Sequence, residues 1–144
     1  MGYTHYWKNN IEVSDEIWKE FTDKLTQLID ASDIHVCEEY NTPHLPPVVV
    51  ADNRVRRSQV RLNGALEKGH ETFFLAPWPQ QEFCKTARKP YDLIVTCALC
   101  LAADMFPDFQ VESDGTHDEW EPATAFARSV LGEYVGIPKG VQAW

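Results

Sequence analysis

The chain predicts an α+β fold, a ferredoxin-like split β-α-β antiparallel sheet with helices on one face and an extra C-terminal helix. Three observations carry this. Short segments alternate apolar and polar residues with period two, as "SQVRLNG" and "FQVESDG" do. A separate stretch repeats its apolar residues at helical spacing. The elements then follow the order strand, helix, strand, strand, helix, strand, helix, of which the first six match the split β-α-β arrangement.

Taken in order, "YTHYW" (Tyr3 to Trp7) is rich in β-formers and reads as a strand. Ser14 is placed to cap a helix whose first turn carries Asp15 and Glu16, favourable at the positive end of the dipole. Its apolar stripe is Ile17, Trp18, Phe21, Leu25, Leu28 and Ile29. Residues 38–53, with three prolines, form a long excursion in which Val48 to Val50 suit a short edge strand. Ser58 to Gly64 and His70 to Ala76 read as two antiparallel strands. "APWPQQ" then leads through a loop to Pro90, well suited to the first turn of a helix. Leu93 to Ala103 is apolar nearly all round, so this helix is expected deep in the core. Phe109 to Gly115 is a further strand ending in a turn. The last helix runs from about Asp118 to Leu131 and stops at Gly132, leaving 133–144 as a tail. In this topology the first and third strands are central neighbours, which brings His5 and Trp7 near His70 and Thr72.

At 144 residues, 44% hydrophobic and 24% charged, the chain reads as one domain over 1–144 with room for a real core. No apolar run reaches the roughly 20 residues that cross a bilayer, and the start lacks a signal-peptide pattern. A cytoplasmic protein without a membrane partner is expected. Cys37, Cys84, Cys97 and Cys100 are too few and uneven for a disulfide framework. Cys97 and Cys100 form a CxxC inside an apolar helix, where two small buried side chains outweigh a zinc site. Neither metal nor cofactor is expected.

A formal charge of −9 argues against duplex nucleic acid. Yet seven of the thirteen Lys and Arg residues fall in two segments: Arg54, Arg56, Arg57 and Arg61, then Lys85, Arg88 and Lys89. Local positive charge on an acidic protein suits a small anionic, nucleotide-like ligand.

Together "MGYTHYW", Asn63-Gly64, "HETF" at His70 to Phe73, "FCKTARKPYD" at Phe83 to Asp92 and "SDG" at Ser113 to Gly115 resemble a family of small phage, plasmid and bacterial proteins. The resemblance covers most of the chain outside the proline-rich excursion and brings no catalytic residues with it. It implies a mobile-element protein. Such proteins often counter host defence, in the host cytoplasm, for example by sequestering cyclic-nucleotide or ADP-ribose-type signals.

Lys85, Thr86, Arg88 and Lys89 precede a helix start, where amides, cations and a hydroxyl suit phosphate or carboxylate. The plain alternative is a solvated loop whose cations pair with acidic neighbours. Asp92 reads as an acid that stabilises the helix dipole. Tyr3, His5 and Trp7 share one face of their strand and, if it is the open one, form a platform for a base. The alternative is that they fill the core. His70-Glu71-Thr72 fits half of a two-histidine phosphoesterase, with His5 as the other acid–base and hydroxyls to hold the phosphate. Arg61, Asn63, His70 and Thr72 count among the candidate ligand-binding residues. Asn63-Gly64 otherwise make a turn. Asp114 suits a ribose hydroxyl. The expectation is a binding protein. A phosphoesterase, or an interaction module that meets another protein through an aromatic or acidic surface, remains the alternative. An exposed sheet face also suits the pairing of two copies into a homo-oligomer.

Overall fold

In the computed structural model, which describes residues 2–52 and 57–144, three helices pack against two antiparallel sheets. This is the α+β class expected. No helix of the described residues is long and apolar enough to cross a membrane.

The first sheet has β1 (Thr4–Asn9) at its centre, between β6 (Gln80–Lys85) and β7 (Phe109–Ser113). The second is built around β4 (Gln59–Gly64), paired with β2 (Val36–Cys37), β3 (Val48–Val50) and β5 (Phe73–Leu75). Thus β1 takes β6 as its neighbour, in register from Thr4↔Lys85 to Asn9↔Gln80, and not the segment that begins at His70. The polar letters of "QQEFCK" hid this strand, although its alternation is clear once folded: Cys84 is buried and Phe83 is 61% exposed. The expected approach of His5 and Trp7 to His70 and Thr72 is corrected accordingly. Trp7 instead packs on Phe73, with ring centroids 5.0 Å apart.

Helix α1 (Asp15–Ala31) starts as predicted, with Ser14 Oγ accepting from the Ile17 amide at 3.2 Å. Its stripe of Trp18, Phe21, Leu25 and Leu28 enters the core. Helix α2 (Asp92–Met105) is buried continuously from Ile94 to Ala102, which explains its nearly unbroken apolar run. Helix α3 (His117–Leu131) ends at Gly132, whose φ of 69° is the left-handed cap that favours glycine. Trp120 anchors α3 inside the protein.

The tail is seated, not loose. Val135 and Val141 are buried, and a Cβ at Gly140 would stand 1.8 Å from the Val111 carbonyl oxygen. Only glycine lets the tail approach β7 so closely.

Candidate functional site

The site forms where the head of α2 meets β1 and α3. Strand β1 alternates, but Tyr3, His5 and Trp7 turn inward at 2%, 0% and 2% exposure. The expected open-face platform is therefore corrected. The large Tyr3 and Trp7 rings remove more apolar surface from water when they face the helices, and the imidazole between them is hydrogen-bonded. The rings left outside are Tyr6 and Phe83, cross-strand partners with centroids 6.4 Å apart.

His5 lies at the centre of a polar network spanning four elements. Ser113 Oγ accepts from the Trp120 indole N–H at 3.0 Å and from the Gly115 amide at 2.8 Å. With both lone pairs taken, the Ser113 hydroxyl donates to His5 Nδ1 at 2.7 Å. Nε2–H of the same ring then donates to Asp92 Oδ1 at 2.7 Å. Thr86, also fully buried, donates its hydroxyl to that same oxygen at 2.5 Å. The other oxygen of Asp92, Oδ2, takes no hydrogen bond from a described residue, and the side chain keeps 18% exposure.

Asp92 opens onto a hollow of about 270 Å³ that Tyr3, Arg88, Lys89 and Glu119 also line. Arg88 stacks over the Tyr3 ring at 4.1 Å and donates from Nε to Glu119 Oε2 at 2.9 Å. The hydrogen bond to Glu119 raises the guanidinium's affinity for its proton. Its two terminal nitrogens donate to no described residue. Burial, followed by the charges of Asp92 and Glu119, raises the Tyr3 phenol's pKa, so it remains a hydroxyl donor at neutral pH. That hydroxyl has no hydrogen-bond partner among the described residues and lies against Gly115, where a Cβ would meet it at 2.2 Å.

The turn that presents Arg88 is strained. Ala87 and Arg88 have φ of 52° and 56°, two consecutive non-glycine residues in the left-handed region. The Thr86 and Ala87 amides both donate to the Tyr3 carbonyl, which ties the turn to β1. The amides of Lys89, Asp92, Leu93 and Ile94 are satisfied by turn carbonyls. At this helix head the cationic side chains of Arg88 and Lys89 therefore stand ahead of most of the backbone amides as anion donors.

The other predicted residues are dispersed. The Lys85 side chain lies over Gly2, and its amide donates to Glu71 Oε1. Arg61 pairs with Glu39 at 3.4 Å and stands over Phe74. Asp114 Oδ2 accepts from the Thr4 amide, which ties this carboxylate to the β1–β7 junction, and Asp114 does not line the hollow. Asn63 is no simple turn residue: buried at the end of β4, it clasps His70 and Thr72. His70 is exposed, whereas His5 is buried with both ring nitrogens engaged; they form no acid–base pair. Arg54 and Arg56 lie outside the described residues. Glu119 and Ser113 went unrecognised as site members because their partners, Arg88 and His5, are distant in sequence.

A larger cleft of about 810 Å³ lies between β7 and the tail, but Asp104, Asp108 and Glu112 face only Lys139 there. Its charge opposes an anion. The four cysteines are free and buried. Among the described residues, no group of three or more His, Cys, Asp or Glu is placed to hold a metal ion.

Comparison of the chain with protein-family models, with curated proteins and with solved structures finds no match.

Proposed function

We propose that the protein is a binding protein that captures a small, nucleotide-like anion in the hollow at the head of α2 and holds it intact. The observation that carries this reading is Arg88. Its guanidinium is laid over a buried tyrosine by a strained turn, with both terminal nitrogens unused among the described residues and Lys89 beside it. Such a fork suits two oxygens of one phosphate or carboxylate. Capture is favoured over turnover because no histidine lines the hollow, and His5, behind Asp92, is committed to Ser113 and Asp92. Sequestering a cyclic-nucleotide or ADP-ribose-type signal is the biological form of this reading, and the resemblance to mobile-element proteins supports it.

The test is to incubate the protein with cyclic oligonucleotides and ADP-ribose derivatives, measure binding, then denature it and analyse what is released. Intact ligand is expected, with binding lost in the R88A/K89A double variant while its circular dichroism is unchanged. Cleaved product, or undiminished affinity in that variant, refutes the reading.

One observation favours a second reading, an interaction module. Tyr6 and Phe83, 43% and 61% exposed, make an apolar patch on the outer face of the first sheet. Analytical ultracentrifugation of the wild type and a Y6S/F83S variant tests whether this face pairs two copies.

A further inference from the structure

We propose that Asp92 determines the specificity of this hollow, and that its ligand is a phosphorylated sugar held by its phosphate on Arg88 and Lys89 and by a hydroxyl on Asp92 Oδ2. This rests on the reading of the hollow as an anion site. Two cations alone would make it a trap for any anion. The hollow, however, sets Asp92 and Glu119 against Arg88 and Lys89. A bare phosphate would meet two carboxylates that repel it, whereas a sugar phosphate offers hydroxyl donors to them and its anion to the cations. Tyr3, 2% exposed as a residue, adds a phenol hydroxyl with no hydrogen-bond partner among the described residues.

The grip on Asp92 is one-sided. Both His5 and Thr86 donate to Oδ1, which leaves Oδ2 as an oriented acceptor on the side chain that lines the hollow. A carboxylate in a helix's first turn stabilises the dipole by charge alone. That role asks nothing of a buried imidazole and a buried threonine, which add a fixed direction. About 270 Å³ suits the sugar-phosphate portion of a nucleotide, with a base projecting past Pro122 or into solvent.

The experiment compares ribose 5-phosphate with propyl phosphate, which has the anion and no hydroxyl, by titration calorimetry. The wild type should prefer ribose 5-phosphate by about tenfold or more, the effect of one hydrogen bond to a charged group. In D92N the amide oxygen can still serve His5 and Thr86 from the Oδ1 position. The NH₂ group then replaces the acceptor at Oδ2, so the fold should survive and the preference should disappear. Propyl phosphate should bind D92N as well as wild type or better, because a negative charge has gone. No wild-type preference, or an equal loss of both ligands in D92N, overturns the assignment of Asp92 while leaving the anion site standing. A wild type that binds neither compound overturns the anion site itself. Should D92N fail to fold, the Glu119→Gln and Tyr3→Phe variants decide by elimination: the preference for ribose 5-phosphate should survive in both, and its loss in either overturns the assignment to Asp92.

Discussion

Replacing His5 by leucine tests the network on which the site is built. The imidazole donates to a carboxylate and accepts from a hydroxyl, both at 2.7 Å, and is wholly buried. A hydrogen bond to a charged group contributes about 1.5–3 kcal/mol and a neutral one about 1 kcal/mol. Leucine fills a similar volume, so the cavity contribution is small. It leaves the Ser113 hydroxyl without its acceptor and Asp92 with Thr86 alone. We expect His5→Leu to cost about 3–4 kcal/mol, a large part of the roughly 5–15 kcal/mol that holds a typical domain together. Urea unfolding followed by tryptophan fluorescence measures it, since Trp7, Trp18 and Trp120 are buried reporters. A double-mutant cycle with Asp92→Ala should return a coupling of about 1.5–3 kcal/mol. A loss below about 1 kcal/mol, or effects that simply add, would refute the claim that these two side chains share a bond.

Two further outcomes follow from other parts of the fold. Asn63 accepts from the Gly64 and His70 amides and donates to the His70 carbonyl and Thr72 hydroxyl, all within 2.8–3.1 Å. Asn63→Ala should therefore cost about 3 kcal/mol in urea unfolding and speed amide exchange at Gly64 and His70, which a mere turn residue would not do. Burial pushes the Cys84 and Cys100 thiols up to about 12 and raises Cys97 too, above their ordinary value of 9.0. Between those limits the folded state binds more protons than the unfolded chain. Their contribution is full below pH 9 and fades as pH rises toward 12, by at most about 1.4 kcal/mol per pH unit for each thiol. The urea midpoint should fall above pH 9, and native thiols should resist a disulfide reagent that labels all four after unfolding; a flat midpoint to pH 11 or rapid native labelling contradicts this.

The elements with strong local signals were legible from residue order. Ser14 caps α1 and Gly132 stops α3 because capping depends on one side chain, or one missing side chain, beside the orphaned backbone groups. The depth of α2 follows from apolar residues on all its faces. Strand β6 was not legible, since Gln80, Gln81 and Glu82 carry weak β preference and gain their pairing only from β1. The inward turn of Tyr3, His5 and Trp7 escaped for a related reason. Alternation separates two faces but does not say which one is buried when both carry aromatic rings.

Of the site, Tyr3, Arg88 and Lys89 were placed in the candidate set by residue type and by proximity to a helix start, and they share the hollow. Residue order alone determined the α+β class, the helix ends and a local concentration of cations on an acidic chain, because each depends on neighbours a few positions apart. Tertiary structure alone decided that His5 grips Asp92 from 87 positions away, that Glu119 holds Arg88 from 31, and that Lys85 stands elsewhere. Hydrogen bonds and burial act through space, and only the packed sheet and helices set those distances.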